Sequence, residues 1–355
     1  MPNSPLEKNR LLFITTKSQI GGAQKFVKEQ IDICKNEFEF FLCSNQNDWL
    51  TQQVEVENVL LNKSIEKAFS IRFLFELVKF IKKNKIDLVI TNSANAGFYG
   101  RIAAYIANVN SCYYSHGWSS VYNGGKLSFL LNGVEKFLSK ISTKVICVSN
   151  NDYNTAIKKI GISADKLLVV KNATLPVFNQ KNTFQNQPLK VIALARFANP
   201  KRIDLMIKSF EQIDNAELSI AGTGPGFEMW KQYVHDKKIT NVTLLGEIPS
   251  FSAFNEYDAF VLISNSEGLP ISAIEAMSAG LPLILSNVGG CSELIKNNGV
   301  LVENNIDSII AGVKKIIENY PIYQKNSQKF YSEEFNLQTI NKKYINLYKD
   351  LINCN

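Results

Sequence analysis

Short apolar runs alternate with longer amphipathic segments from one end of the chain to the other. In the first half, the apolar runs predict strands at residues 11–15, 38–44, 88–91, 112–115, 145–149 and 167–170. In the second half, they predict strands at residues 191–195, 218–221, 242–245, 259–263 and 283–286. Strands that alternate with helices in this way are typical of parallel sheets built from βαβ units.

Helical spacing marks several of the segments between these strands. Residues 23–34 form a helical stretch after a Gly21-Gly22 turn. Between residues 66 and 83 the apolar positions fall at i, i+3, i+4 and i+7, namely Leu74, Leu77, Val78 and Ile81. The final stretch, residues 335–352, predicts one amphipathic helix with its apolar side chains on one face.

A polar segment separates the two halves. Residues 178–188 read FNQKNTFQNQP, which offers almost nothing to bury and predicts an interdomain linker. The predicted fold is therefore α/β, with two Rossmann-like, doubly wound domains at residues 1–180 and 181–334 that face a cleft. In such sheets, ligands bind beyond the carboxyl ends of the strands.

Composition and charge narrow the class of protein. The 355 residues are 45 % apolar, enough for two ordinary cores. Of the net charge of +7, residues 1–180 carry +8 (22 basic, 14 acidic) and the remainder carries −1 (17 basic, 18 acidic). This mild, unclustered excess argues against nucleic-acid binding and leaves room for a preference for anionic surfaces.

The cysteines and the lack of long apolar stretches indicate the cellular compartment in which the protein is expected. The six cysteines form no CxxC pair, which indicates neither a zinc site nor a disulfide framework. No segment approaches the roughly 18 consecutive apolar residues of a membrane span, and the first ten residues are polar. We therefore expect a cytoplasmic protein.

The most specific chemical feature is the segment SNSEGLPISAIEAMSA at residues 264–279. Glu267 follows a predicted strand, and Glu275 lies eight residues later on a helix that begins near Pro270. The free N–H groups of such a helix start favour an anion. The segment thus predicts a phosphate-accepting turn between two carboxylates; the alternative is that Glu267 caps the helix and Glu275 is solvated.

A cationic loop follows the first strand of the second half, where Arg196 is followed by Lys201 and Arg202. Arginine and lysine over a ligand site neutralise a diphosphate without a metal, whereas the alternative is a set of surface charges on a turn. The nearby AGTGPG segment would need glycine at position 227 for a dinucleotide fingerprint, but Phe227 stands there. We expect a tight turn there and no NAD site.

Two further features in the first half are less specific. His116 follows the strand at 112–115, and a single histidine at a strand end is more often structural than functional. Gly21 and Gly22 would let backbone approach a ligand closely, or form a plain turn. In the second half, His235 lies in a polar helix and is expected to be solvated.

In combination these motifs resemble the GT-B glycosyltransferases of the large retaining family 4, of the capsule and O-antigen type. The segment EGLPISAIEAMSAGLP carries the family's most specific motif. ARFANPKRID, AGTGPG and VGGCSEL accompany it in the second half, and TNSANAGFYGRIAAYIA, YYSHGW and VICVSN in the first. The resemblance spans the whole chain in order and implies that the helix at 335–355 crosses back to the first domain.

The resemblance also implies roles for individual residues. A nucleotide diphosphate-sugar, with uridine as the favoured base, would be held mainly by the second domain, 181–334. The implied donor-binding residues are Gly22, Arg196, Lys201, Glu247, Ile248, Glu267, Gly268, Leu269, Pro270 and Glu275. Of these, Arg196 and Lys201 would meet the diphosphate, Glu275 the ribose, and Glu267 the donor sugar. The catalytic set implied is His116, Glu267, Arg196 and Lys201, with no metal and no cofactor.

The first domain, 1–180, would bind a lipid-linked or saccharide acceptor, with Ser93, Asn95, His116 and Trp118 on the acceptor side. The resemblance implies peripheral contact with the inner face of the cytoplasmic membrane. The basic and aromatic residues that would serve it are Lys79, Lys82, Lys83, Lys85, Tyr122, Lys126, Phe129, Leu130 and Leu131. The open alternative is that the aromatic side chains face the core and the lysines are simply solvated.

The expected reaction is retaining hexosyl transfer from a nucleotide-sugar in O-antigen or capsule biosynthesis. The alternatives are a GT-B sugar-nucleotide epimerase or hydrolase, and a catalytically silent nucleotide-sugar binder. An epimerase would be expected to carry more acid and base groups than one histidine. A silent binder would be expected to lack Arg196, Lys201 or Glu267, all of which are present.

Overall fold

A computed structural model describes residues 8–118, 121, 125–177 and 188–354. The predicted linker lies outside the described residues except for Pro188, as does Tyr122. The described chain divides into two compact units. One contains the residues up to Lys171 and those from Gln338 onward, and the other is Asn172–Leu337. The sequence places these two boundaries at 180/181 and 334/335.

The first unit is built on a seven-stranded parallel sheet of order β3-β2-β1-β4-β5-β6-β7. Its strands are β1 (Asn9–Thr15), β2 (Phe38–Ser44), β3 (Asn58–Leu61), β4 (Leu88–Asn92), β5 (Asn110–Ser115), β6 (Lys144–Cys147) and β7 (Leu167–Val169). Its helices before the boundary are α1 (Gly22–Cys34), α2 (Trp49–Gln53), α3 (Ile71–Lys83), α4 (Ala94–Ala107), α5 (Ser128–Ile141) and α6 (Asn150–Thr155). The order reverses beside β1, as it does in doubly wound folds.

The second unit has a six-stranded parallel sheet of order β10-β9-β8-β11-β12-β13. Its strands are β8 (Leu189–Leu194), β9 (Ala216–Ala221), β10 (Val242–Gly246), β11 (Ala259–Leu262), β12 (Leu283–Ser286) and β13 (Gly299–Val302). Its helices are α7 (Ile203–Phe210), α8 (Phe227–Asp236), α9 (Ile271–Ser278) and α10 (Ile306–Glu334). The chain ends in α11 (Leu337–Ile352).

The last helix returns to the first unit, as the sequence predicts. The Tyr344 hydroxyl donates to the Lys171 carbonyl at 2.8 Å, and the Tyr348 hydroxyl donates to Oε1 of Gln30 at 2.9 Å. The amide of Asn110, at the start of β5, donates to the carbonyls of Leu351 and Ile352 at the end of the helix and to that of Cys354 just beyond it. Helix ends leave such carbonyls without helical partners, so Asn110 fixes the end of α11 to the sheet.

The predicted elements correspond to observed ones within a few residues, and the predicted buried face of α3 is buried. Two short strands were not predicted. β3 is a four-residue edge strand with no fully buried residue. β13 begins at Gly299, where a Cβ would stand 2.1 Å from the Leu283 carbonyl oxygen, so only glycine fits beside β12. Among the helices the structure describes, none is long and apolar enough to cross a membrane.

Candidate active site

Three loops of the second unit meet at the carboxyl edge of its sheet. They follow β8, β11 and β12, which are neighbours in the sheet. The first two loops are joined by backbone pairing, because Lys201 bridges Ser264 and the Asn265 N–H donates to the Pro200 carbonyl at 2.9 Å. The predicted cationic loop and the predicted carboxylate loop are therefore one structural entity.

Lys201 and Glu267 form an ion pair across this junction. The ammonium Nζ lies 2.5 Å from Oε1 of Glu267, and the two side chains are 20 % and 11 % exposed. Arg196 is exposed on the same loop as Lys201, whereas Arg202 is engaged by both carboxylate oxygens of Asp204. The alternative in which Glu267 caps the helix that follows is wrong, because Pro270 is the N-cap residue of that helix and no described side chain caps it.

The backbone of the turn after β12 packs closely against the backbone of Glu267. Gly289 has a φ of +54°, and a Cβ at this position would stand 1.8 Å from the Glu267 carbonyl oxygen. The Gly290 N–H points at the same oxygen, at 3.4 Å. Glycine is needed here for both the positive φ and the close approach, so this turn fixes the height of Glu267 above the sheet.

Helix α9 begins one turn beyond Glu267. Pro270 occupies the N-cap position, and no side chain of the described residues caps the helix. Gly268, Leu269 and Pro270 are buried in the approach to it, and Asn172 donates its amide N–H to the Leu269 carbonyl at 2.8 Å. Glu275 is 9 % exposed, so the alternative of a solvated glutamate is wrong.

A ring of polar side chains supports the end of β11, and the sequence did not predict it. The Ser286 hydroxyl accepts the Ser264 N–H at 2.9 Å and donates to Oδ1 of Asn304 at 2.6 Å. The Asn304 amide closes the ring on the Ser264 carbonyl at 3.0 Å. These contacts join residues 18 to 40 positions apart in the chain, so no local pattern could have revealed them.

The AGTGPG segment forms the predicted tight turn between β9 and α8. Gly222 has a φ of +144°, and a Cβ there would stand 2.1 Å from the Ala195 carbonyl oxygen, next to Arg196. The Gly222 N–H donates to the Gly246 carbonyl at 2.7 Å, which brings the end of β10 to the same edge. Glu247 and Ile248 follow that strand end and are exposed.

His116 stands at the carboxyl end of β5 in the first unit. Its ring contacts Phe26 edge-on at 5.2 Å and lies parallel to Tyr114 at 6.3 Å. Burial lowers the pKa of His116 from 6.5 to about 4, so the ring is neutral at pH 7. Nε2 lies 3.0 Å from Oδ1 of Asn92; with Nε2–H as donor, Nδ1 is left as an acceptor.

The other predicted residues of the first unit have individual surroundings. Ser93 has a φ of +83° and a hydroxyl 2.6 Å from that of Thr16, which ties the start of α4 to the end of β1. Asn95 donates to the Ile65 and Glu66 carbonyls at 3.2 and 3.1 Å. Gly22 is exposed at the start of α1, where no side chain of the described residues caps the helix.

Trp118 differs from the expectation of an acceptor-side contact. Its side chain is 1 % exposed, and its indole N–H donates to the Asp152 carbonyl at 2.8 Å. A large aromatic ring with a satisfied N–H belongs to the core. Any effect of Trp118 on an acceptor must therefore act through the position of the His116 loop.

Both halves of the chain match models of known families. Residues 20–174 match "Glycosyltransferase Family 4", and residues 176–333 match "Glycosyl transferases group 1". The O-antigen biosynthesis glycosyltransferase WbnH of Escherichia coli is 39 % identical over 340 residues, which cover 96 % of this chain and 98 % of that protein.

Two further proteins are similar at lower sequence identity, the second of them in fold. The Escherichia coli UDP-Gal:alpha-D-GlcNAc-diphosphoundecaprenol alpha-1,3-galactosyltransferase is 27 % identical over 389 residues, covering 97 % of this chain and 98 % of that protein. A crystal structure of Anabaena HepE in complex with UDP and glucose superposes with a TM-score of 0.82 at 18 % identity, covering 96 % of this chain and 100 % of that one.

Two Rossmann-like domains, each with an all-parallel sheet, and a last helix that returns to the first are the GT-B architecture of glycosyltransferases. The 39 % identity to WbnH over nearly the whole chain also shows the family to which this chain belongs. The chain belongs to glycosyltransferase family 4, and it is a glycosyltransferase.

Proposed function

We propose that this glycosyltransferase moves a hexose from a UDP-sugar to a lipid-linked or saccharide acceptor, with retention of anomeric configuration and without a metal. The observation that supports the proposal is the Lys201–Glu267 ion pair at the carboxyl edge of the second sheet, on the loop that also carries Arg196. Doubly wound sheets bind their ligands at this edge, where two cations and a carboxylate suit a nucleotide diphosphate-sugar.

The diphosphate is the part of the donor that these cations suit. Lys201 uses one N–H on Glu267, and an ammonium has three, so two remain for phosphate oxygens. Arg196 adds a two-pronged donor, and the N–H groups at the start of α9 add a further positive end. Negative charge grows on the diphosphate as the sugar leaves, so these groups stabilise the transition state.

The same edge offers groups for the remainder of the donor. Glu267 accepts hydrogen bonds from the sugar hydroxyls at Oε2, because Lys201 occupies Oε1. Glu275, on the first turns of α9, accepts from the ribose hydroxyls. The backbone of Glu247 and Ile248, exposed after β10, meets the base.

The reaction breaks the bond between the anomeric carbon and the phosphate oxygen. A bond to the acceptor oxygen forms on the same face, and the leaving diphosphate takes the acceptor proton. In the first unit, neutral His116 accepts a sugar hydroxyl at Nδ1, because Nε2–H is held by Asn92. The start of α1 at Gly22 provides N–H groups for the diphosphate.

The charges of Arg196 and Lys201 also support the proposal that transfer needs no metal. Arg196 and Lys201 supply the positive charge that a metal would otherwise bring. We propose accordingly that chelation leaves turnover unchanged.

The relatives support the choice of substrates and pathway. The galactosyltransferase relative is named for UDP-Gal and a diphosphoundecaprenol-linked acceptor, and the HepE structure holds UDP and glucose. WbnH is named for O-antigen biosynthesis. We therefore propose a UDP-hexose donor, a lipid-linked acceptor and a role in surface polysaccharide synthesis on the cytoplasmic side of the membrane.

The test is a transfer assay with UDP-galactose and UDP-glucose, a diphosphate-lipid-linked sugar acceptor and EDTA. Transfer of an α-linked hexose from the α-configured donor supports the proposal. Hydrolysis or epimerisation of the donor with no transfer to the acceptor that is present would contradict it and favour the epimerase or hydrolase alternative. Arg196→Ala and Lys201→Ala should each lower turnover by orders of magnitude. Lys190→Ala, which removes an exposed charge near the amino end of β8, is the matched control.

A further inference from the structure

A short turn follows β3 and is held against the start of α4. The Asn95 amide donates to the Ile65 and Glu66 carbonyls of this turn at 3.2 and 3.1 Å. The Tyr99 hydroxyl, one turn further along α4, donates to the Lys67 carbonyl at 3.2 Å. β3 is an edge strand, whereas α4 follows the central strand β4. These contacts therefore bring Glu66 to the middle of the carboxyl edge of the first sheet.

The start of α4 lies where the strand order of the first sheet reverses. β1 and β4 are neighbours there, and the Ser93 hydroxyl lies 2.6 Å from that of Thr16, the residue after β1. The Thr16 hydroxyl oxygen also accepts the Ala96 N–H at 3.2 Å. Doubly wound sheets bind their ligands in the crevice at this point. Glu66 thus places a carboxylate beside the expected ligand site of the first unit.

A buried amide orients the Glu66 carboxylate. The Asn45 amide N–H donates to Oε1 of Glu66 at 3.1 Å, and Asn45 is 4 % exposed. The side-chain oxygen of Asn45 accepts the Ser18 backbone N–H at 3.1 Å. Because a backbone N–H can only donate, this contact settles which way the Asn45 amide points. Asn45 therefore presents a donor to Glu66 and fixes the position of one carboxylate oxygen.

The second carboxylate oxygen of Glu66 remains open. Glu66 is exposed, and no other side chain of the described residues donates to its carboxylate. Lys63 and Lys67 flank it in sequence without forming an ion pair with it, although residues 1–180 carry a net charge of +8. Holding a glutamate side chain in one geometry costs conformational entropy. A surface carboxylate that is oriented and yet unpaired with any cation indicates a ligand.

The chemistry of this carboxylate favours a sugar over a phosphate. A carboxylate oxygen accepts hydrogen bonds from hydroxyls, whereas the like charge of a phosphate is repelled. A hydroxyl bound to an ionised carboxylate makes a hydrogen bond about twice as strong as one between neutral groups. A lipid-linked acceptor carries both a sugar and a phosphate, and Glu66 suits the sugar.

We propose that Glu66 is a specificity-determining residue for the acceptor, with its Oε2 accepting a hydrogen bond from one hydroxyl of the acceptor sugar. Asn45 is the positioning residue that holds this carboxylate. The place of the sugar in the reaction rests on the proposed function, whereas its binding at Glu66 does not. The sequence pattern singled out neither residue, because Glu66 follows a strand that the pattern did not predict.

Calorimetric titration of water-soluble acceptors into the full chain, in the presence of UDP, tests this proposal. The probes are GlcNAc, GalNAc, galactose and glucose, each α-linked to a diphosphate with a short alkyl chain. For the probe that wild type binds best, Glu66→Ala should raise the Kd about 10- to 150-fold, as expected for one lost hydrogen bond to a charged group. The Kd for UDP should stay unchanged. Glu57→Ala is the matched control, because Glu57 is exposed just before the amino end of β3.

Mono-deoxy analogues of the same probe identify the hydroxyl that Glu66 binds. One analogue should bind wild type as weakly as the intact probe binds Glu66→Ala, and it should bind that variant no more weakly still. Asn45→Asp keeps an oxygen for the Ser18 N–H but removes the donor to Glu66. It should raise the Kd of the intact probe in wild type and change nothing further in Glu66→Ala, whereas a purely structural effect would appear in both backgrounds.

An unchanged Kd in Glu66→Ala, an equal rise in Glu57→Ala, or additive losses for every deoxy analogue would overturn the proposal. So would the failure of wild type to bind any of the four probes. If hexose transfer to a probe proceeds while Glu66→Ala leaves its Kd unchanged, the role of Glu66 fails and the proposed function stands. If Glu66→Ala weakens binding as expected but wild type transfers no hexose, the proposed function fails and the sugar site stands.

Discussion

Replacing Gly289 by alanine tests the claim that the turn after β12 sets the position of Glu267. The new Cβ would stand 1.8 Å from the Glu267 carbonyl oxygen and 2.9 Å from its carbonyl carbon. Real Cβ atoms essentially never come closer than 3.0 Å to such an atom. One of the two backbones must therefore move by more than 1 Å, and Glu267 and its bond to Lys201 move with it.

Two separate costs contribute to the effect on stability. A positive φ costs alanine about 1 to 2 kcal/mol relative to glycine. Forcing the backbones apart adds about 1 to 3 kcal/mol, as overpacking does elsewhere. Displacement of a catalytic group by about 1 Å lowers turnover about 100-fold. We expect Gly289→Ala to lose about 2 to 5 kcal/mol of unfolding free energy and about 100-fold in kcat.

Gly246→Ala separates the two costs. Gly246 has a φ of +75° in the same unit, and a Cβ there would meet no atom within 4 Å. Urea unfolding followed by circular dichroism should show a loss of only about 1 to 2 kcal/mol for this control. Equal unfolding free energies for the two variants, together with wild-type turnover in Gly289→Ala, would refute the role assigned to the turn.

Three other predictions concern single side chains. Glu135→Ala should cost about 3 to 5 kcal/mol in urea unfolding, because it leaves the fully buried Arg101 without its carboxylate partner; a loss below 1 kcal/mol would contradict this. The folded-state pKa of His116, about 4, lies below the ordinary 6.5, so as pH falls below 6.5 the unfolded state takes the proton first. Wild type should lose up to about 3 kcal/mol more stability than His116→Asn between pH 7 and 4, measured by pH-dependent denaturation; parallel pH profiles would exclude a depressed pKa. Asn172→Ala should lower stability by about 1 to 3 kcal/mol and raise the donor KM, because the Leu269 carbonyl loses its buried partner; an unchanged KM in steady-state kinetics would show that Asn172 does not position α9.

The fold was largely predictable because nearly every strand is a buried parallel one. Such strands are continuous apolar runs, and the helices between them show their inner face through regular spacing. Among the strands in the described part of the chain, β3 and β13 were the two that the sequence did not predict. Each is only four residues long. β3 lies at a sheet edge and is only partly buried. β13 begins with Gly299, which is required because the β12 backbone leaves no room for a Cβ there.

The sequence predicted the residues of the site motifs, but it did not predict the contacts that hold those residues in place. Lys201 and Glu267 were both singled out from sequence, but their mutual ion pair required the neighbouring order of β8 and β11. Asn304 and Ser286 carry no local signal, since their role depends on partners in other loops. Trp118 shows the converse, because a residue within a recognisable motif turned out to be a core side chain.

Helix α5 marks the limit of periodicity as a guide. Its apolar residues occur on more than one face, so the sequence left open whether Phe129 and Leu130 face the core or solvent. Burial decides this for the described residues, because Glu135, Leu138 and Ser139 occupy the inner face. Phe129, which the sequence alone could assign either to the core or to the surface, is 91 % exposed.

Calorimetric titration of UDP in the presence of EDTA tests whether Arg196 and Lys201 bind the donor diphosphate without a metal. Each charge-assisted contact is worth about 1.5 to 3 kcal/mol, so Arg196→Ala and Lys201→Ala should each weaken the Kd for UDP about 10- to 150-fold. Lys190→Ala should bind UDP as wild type does. Wild-type affinity in both Arg196→Ala and Lys201→Ala, or binding that appears only when a divalent metal is added, would show that these two side chains do not bind the diphosphate without a metal.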